Sequence, residues 1–185
     1  MKGVLMIVSG PSGVVKDTVL NRWFERDSNV KRVVSCTTRQ PREGEVNGVD
    51  YHFLSPADFE GMVLDDQFLE HKNVHGNYYG TPLKQVEEML TAGIVAILKI
   101  DVQGALTVME KRPETTSVFL LPPSWEELER RLTSRGTEDA EALAKRLKNA
   151  KDELATAPKY QHQVVNDDID KAVDELARIA EEARK

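Results

Sequence analysis

Five stretches of the chain are rich in β-branched residues, and several are apolar throughout: VLMIVSG near the start, KRVVSCTTR from Lys31, IVAILKID from Ile94, SVFLLPP from Ser117 and HQVVND from His162. An apolar run without a polar face predicts a strand covered on both sides. Such strands alternating with helical patterns predict the parallel sheet of an α/β fold. The helical patterns fall at about 16–26, 82–92, 124–135, 138–157 and 168–184, with Ser124 and Asp168 as N-caps. Two stretches interrupt the alternation. From about Pro41 to Thr81 the chain is rich in Gly, Asp, Asn, Tyr and Phe, with short strand-like pieces such as VDYHFLS, which predicts a small separate lobe. From Trp125 to Lys159 it is helical and heavily charged, the pattern of a solvated hairpin or of a closing lid.

Composition narrows the picture. A chain of 185 residues with 40% hydrophobic content can bury ~70% of the surface its unfolded form exposes, enough for one compact domain without staples. The single cysteine, Cys36, excludes an internal disulfide and predicts a small buried side chain in a reducing compartment. The apolar run Val4 to Val8 ends at Gly10 and Pro11 and is too short for a signal peptide or a membrane span. The expected location is therefore cytoplasmic. A net charge of −6 argues against a nucleic-acid surface, which needs a basic face, so any phosphate site must be local. His71 and His75 are four apart, but Asn73, Gly76 and Asn77 disfavour the helix that would align them on zinc.

The segment SGPSGVVKDTVL after the first strand has the position of a strand, glycine-rich loop and helix of the phosphate-binding type. In such a loop backbone N–H groups turn inward on an anion, the helix N-terminus adds its dipole, and a lysine, here Lys16, reaches the phosphate oxygens. The pattern G-x-x-x-x-G-K-[ST] is met at Gly10 and Lys16 and broken twice, by Val15 in place of glycine and Asp17 in place of a hydroxyl residue.

The run SCTTRQPREGEVNGVDYHF, followed in order by FLEHKNVHGNYYGTP, KIDVQGA, PPSWEELERRLTSRG and VVNDDIDKAV, resembles the guanylate kinase family over nearly the whole chain. The resemblance implies a parallel-sheet P-loop kinase core at about 1–34, 82–124 and 160–185, a small mixed-β GMP-binding lobe at about 35–81 and a helical lid at about 125–159. It implies transfer of the terminal phosphate of ATP to GMP, with dGMP also accepted, in purine nucleotide metabolism by a monomer or weak homodimer. The ATP site is expected at Gly10, Pro11, Ser12, Gly13, Val14, Val15, Lys16, Asp17 and Thr18, with Asn166 near the base. Mg2+ is expected mainly on the ATP phosphates and water, with Asp17 or Thr18 as the protein contribution.

The residues carry chemistry suited to those roles. A phosphate dianion calls for guanidinium forks and phenolic hydroxyls, which Arg39, Arg42, Tyr51 and Tyr79 supply. Guanine presents an acceptor at O6 and donors at N1 and N2, for which Ser35 and Thr81 are hydroxyl donors and Glu70 and Asp101 carboxylate acceptors. Phosphoryl transfer relies on positioning and cations more than on covalent chemistry. Lys16, Arg39, Arg131, Arg135 and Arg146 are the expected catalytic cations, against the plainer reading in which Arg130, Arg131 and Arg135 pair with Glu126, Glu127 and Glu129 on a solvated surface. Three residues depart from the family pattern: Val15, Asp17, and Lys99 where an acidic residue is frequent. Val15 opens the alternative of a guanylate kinase-like binding module that has lost turnover. Such modules belong to multidomain chains, and this chain is expected to stand alone.

Overall fold

The structure is a computed structural model that describes residues 1–134 and 139–185. In chain order its elements are β1 (Val4–Ser9), α1 (Lys16–Arg26), β2 (Val30–Arg32), β3 (Cys36–Thr37), β4 (His52–Phe53), α2 (Pro56–Leu64), β5 (Phe68–Val74), β6 (Asn77–Pro82), α3 (Leu83–Thr91), β7 (Val95–Leu98), α4 (Val102–Lys111), β8 (Thr116–Leu121), α5 (Trp125–Thr133), α6 (Ala140–Leu154), a short 3-10 turn at Ala157–Lys159, β9 (His162–Val165) and α7 (Ile169–Ala183). The larger sheet runs β2-β7-β1-β8-β9 with every pairing parallel. The order places β1 in the centre, so the loop that follows it opens at the carboxyl edge of the sheet, where α/β folds bind ligands.

Both faces of that sheet are covered, as the apolar strands require. Met6, Val8, Ile97 and Leu120 pack with Leu20 and Trp23 of α1 and Val173, Leu176 and Ile179 of α7. Leu5, Ile7, Leu98 and Phe119 point the other way, onto Val86 of α3, Val108 of α4 and Tyr160. Period-two alternation thus sends neighbouring residues of one strand into two different cores.

A second sheet, ordered β4-β3-β6-β5, builds the lobe. The segment from Lys31 is divided between the two sheets, because β2 pairs with β7 whereas β3 pairs with β4 and β6. β5 and β6 form a hairpin whose turn residues, His75 and Gly76, both have positive φ (51° and 85°), the geometry that matches the twist of the flanking strands. Cys36 is buried with Phe59 and Phe68, and burial pushes its thiol up to about 11. Two helices add to those anticipated. α2 begins on Ser55, whose hydroxyl accepts the Asp58 N–H, with Pro56 in the first turn. α4 begins on Asp101, whose carboxylate accepts the Gly104 N–H at 2.9 Å.

α5 and α6 form a hairpin closed by Leu128, Leu132 and Ala150 with Trp125, Leu147 and Leu154. Lys151 lies 4.9 Å from the centre of the Trp125 ring. Ser124 caps α5 and Asp168 caps α7, as anticipated, each accepting the N–H three residues on. Removing the second cap leaves a helix-end donor without its partner. Asp168→Ala is expected to lower stability by about 1 kcal/mol, read by urea denaturation as a lower midpoint at unchanged slope.

Candidate active site

The turn from β1 into α1 is built from residues 10–15. Val14 is buried in the core beside Val8 and Leu120, which pulls the loop down and leaves Ser12 and Val15 facing out. Asn166, buried after β9, donates its amide N–H to the Val14 carbonyl at 2.7 Å, while its own backbone N–H is bound to Leu121. Its side chain thus braces the loop. Lys16 Nζ donates to the Gly10 carbonyl at 2.5 Å. Burial pushes the Lys16 ammonium below its ordinary value, with the carboxylates of Glu153 and Asp17 opposing and the nearby Lys99 reinforcing.

Two contacts join this loop to the α5–α6 hairpin. The Ser12 N–H donates to Glu153 Oε2 at 3.3 Å, so a carboxylate of α6 stands on a loop N–H in the way an anionic ligand would. Burial pushes the Glu153 carboxyl up, with the Ser12 N–H and Lys16 opposing. Gly13 has φ 87°, and a Cβ there would stand 3.0 Å from Leu128 and 3.2 Å from Leu132. Glycine therefore serves both the backbone geometry and the seating of α5 on the loop.

Val15 is the residue at odds with its conformation. It caps α1 at φ 65°, ψ 41°, the left-handed region, which a β-branched residue resists most strongly. Its side chain is 41% exposed. The chain therefore keeps the path a glycine would take and turns the valine outward. Asp17, next but one, lies in the first turn of α1 with its carboxylate paired to Lys99. Thr18 borders a different cleft, between α1 and α7, with Asn21, Arg22 and Asp170.

Beside the loop lies a cavity of about 230 Å3, whose lining includes Ser35, Tyr51, Glu70, Tyr79, Lys99 and Asp101. Glu70 is its buried charge. Thr81 donates its hydroxyl to Glu70 Oε1 at 2.7 Å, fixing the carboxylate's orientation. Burial pushes the Glu70 carboxyl up, with Thr81 and Lys72 opposing. Thr81 itself is fully buried and acts on the cavity through Glu70. Gly104 sits in α4 although glycine weakens a helix, and a Cβ there would stand 3.1 Å from Glu70 Oε2 and 3.2 Å from Asp101 Oδ1. One Asp101 oxygen caps α4 and the other pairs with Lys72.

Arg39 flanks the tyrosines, 5.4 Å from the Tyr51 ring centre, and its guanidinium is bound to Glu45 at 2.9 Å. Arg42 is exposed, its backbone N–H donating to Glu45. On the hairpin, Arg131 bonds Glu127 at 2.7 Å and reaches toward the Gly13 carbonyl at 3.5 Å, whereas Arg130 pairs with Glu127 in solvent. The two guanidinium groups hold the Glu127 carboxyl down at about 2. Arg146 is half-buried on α6, and Arg135 lies outside the described residues. Arg32 and Lys72 in the cavity lining and Glu153 at the loop escaped the sequence reading, and Lys99 was marked there only as a departure, with no role at the site. Only Lys99 had a local signal, its basic charge in the KID segment.

The guanylate kinase family model matches residues 2–183. A guanylate kinase of Clostridium perfringens (strain SM101 / Type A) is 47% identical over 178 residues, 96% of this chain and 82% of the relative. The crystal structure of guanylate kinase from Anaplasma phagocytophilum superposes with a TM-score of 0.79 at 35% identity, covering 99% of this chain and 87% of that one. The SH3-kinase fragment of tight junction protein 3 shares the fold alone, at 12% identity and a TM-score of 0.50, covering all of this chain and 58% of that one.

Backbone strain at a residue such as Val15 costs on the order of 1–3 kcal/mol. The loop holds this strain whether or not a ligand binds, so Val15→Gly is expected to raise stability by about 1 kcal/mol while kcat/KM for ATP and GMP affinity stay within about twofold of the parent. Urea denaturation reads the first as a higher midpoint at unchanged slope, and a tenfold gain in kcat/KM for ATP would mean instead that valine holds the loop off the phosphates.

Proposed function

The chain belongs to the guanylate kinase family and is a guanylate kinase by function, and we propose that it moves the terminal phosphate of ATP onto GMP by direct in-line transfer between the β1–α1 loop and the neighbouring cavity. The observation that carries this reading is Glu70, a buried carboxylate locked by Thr81 in a cavity that adjoins the Lys16 loop. The alternative of a binding module without turnover finds no support, since the likeness to the tight junction fragment extends to the fold alone.

In this reading Glu70 accepts from the guanine N1 and N2 donors, Ser35 donates to O6, and Asp101 borders the base while capping α4. Arg39, Arg42, Tyr51 and Tyr79 hold the GMP phosphate. Loop N–H groups, that of Ser12 among them once the Glu153 carboxylate is displaced, receive the ATP phosphates, while Asn166 keeps the loop in shape. The reacting groups are both anionic. Two unit charges 4 Å apart near a protein surface repel by about 4 kcal/mol, so Lys16, Arg39, Arg131, Arg135 and Arg146 act by offsetting that repulsion. Closure of the α5–α6 hairpin and of the lobe would exclude water from the transfer.

Magnesium fits this site on the chemistry of its donors. Among the described residues no group of three or more His, Cys, Asp or Glu could hold a metal, and Mg2+ commonly sits on substrate phosphates and water with one or two carboxylates. Asp17, a hard oxygen donor at the end of the loop, is the residue that would hold its water. Thr18 faces the α7 cleft instead. The ion would neutralise donor phosphate charge.

The net charge of −6 supports a small-molecule enzyme with no nucleic-acid partner. Among the described residues no helix is long and apolar enough to cross a membrane, and we read the enzyme as cytoplasmic, a monomer or weak homodimer that also accepts dGMP.

A coupled ADP-release assay with ATP, Mg2+ and GMP, AMP, CMP or UMP tests the proposal. GMP is expected to turn over fastest, and faster turnover of any other monophosphate overturns the assignment of the cavity. Glu70→Gln removes a charge-assisted bond worth roughly 1.5–3 kcal/mol, so calorimetry should show GMP binding weakened by about ten- to hundredfold with ATP binding retained.

A further inference from the structure

Lys99 follows the last residue of β7, whose Leu98 pairs with Ile7 of β1. Its backbone therefore lies at the same carboxyl edge from which the phosphate loop springs. Its side chain lines the guanylate cavity together with Ser35, Tyr51, Glu70 and Tyr79, yet its ammonium is bound to Asp17, the residue after Lys16. One cation thus touches both compartments. The same proximity is felt by Lys16, whose ammonium is depressed in part by the charge of Lys99.

We propose that Lys99 is a further catalytic cation, which contacts the phosphate of the bound monophosphate at the junction of the cavity and the loop, with Asp17 as the positioning residue that holds it there. The inference rests on the GMP-kinase reading of the cavity. An ammonium has three donors, and one carboxylate partner leaves donors for phosphate oxygens. The Asp17 side chain is 67% exposed and that of Lys99 25%, so a phosphate can approach the ammonium while the carboxylate stays in place. Lys99 stands where the attacking and transferring phosphates must meet, the point at which a cation offsets the most repulsion. The structure brings Asp17 and Lys99 into contact although 82 residues separate them. A basic residue at 99 would otherwise crowd Lys16, and an acid at 17 compensates for it.

The test compares Lys99→Met, Lys99→Arg, Asp17→Asn and the double variant Lys99→Met/Asp17→Asn with the parent, by GMP calorimetry without ATP and by steady-state kinetics. Turnover of GMP by the parent tests the underlying reading separately. Lys99→Met is expected to weaken GMP binding by about tenfold and to lower kcat further, while Lys99→Arg retains most of both. The decisive comparison is the double variant. If Lys99 contacts the substrate phosphate, removing Asp17 as well leaves the loss of GMP affinity in place. If Lys99 only neutralises Asp17, the double variant recovers parental GMP affinity, which overturns the proposal. GMP affinity of Lys99→Met within about twofold of the parent overturns it equally.

Discussion

Turning the chain from a fully buried parallel strand into a helix over residues 10–15 is the constraint on which the rest of this structure depends. The loop pairs its Val14 N–H with its own Pro11 carbonyl, and the rest of its shape is imposed from outside. Asn166 supplies a brace at Val14, Lys16 ties back to Gly10, and Val14 anchors the loop in the core. Leu128 and Leu132 press on Gly13 from the hairpin. Val15 is held in the left-handed region by this frame, against its own preference.

The second theme is electrostatic. A protein with a net charge of −6 that handles polyanions must concentrate cations locally, and many of those at its site rest beside a carboxylate: Lys99 with Asp17, Lys72 with Asp101, Arg39 with Glu45, Arg131 with Glu127. Glu153 does the same for the loop itself, accepting from Ser12 and standing near Lys16. Ion pairs that water reaches are held only weakly. Such pairing keeps the cations in place while leaving their remaining donors open. Lys16 and Glu70 differ, since burial opposes their charged forms, and they gain most from a ligand of opposite charge or complementary hydrogen bonding.

Much of the fold was legible because its signals are local. The apolar runs marked the five strands of the parallel sheet, and the Ser124 and Asp168 caps were readable as a short polar residue before a helical pattern. The segment from Lys31 was read as one strand because both halves are rich in β-branched residues, and only its pairing partners divide it. α2 was obscured by the strand-like residues of the lobe around it. α4 was obscured by Gly104, a poor helix former whose reason for being there is a carboxylate on β5.

The α/β class, the position of the glycine-rich loop, the chemistry offered to a guanine and a phosphate, and the conflict at Val15 are all written in residue type or in spacing within one segment. Tertiary structure decided which of those groups meet. It turned Thr81 onto Glu70, Asn166 onto the loop, Thr18 toward α7 and Glu153 onto Ser12. It also joined Lys99 to Asp17 across 82 residues of sequence. No pattern along the chain encodes such a contact, since it arises only when parallel pairing sets the end of β7, which Lys99 follows, beside the end of β1, whose loop leads to Asp17 in the first turn of α1.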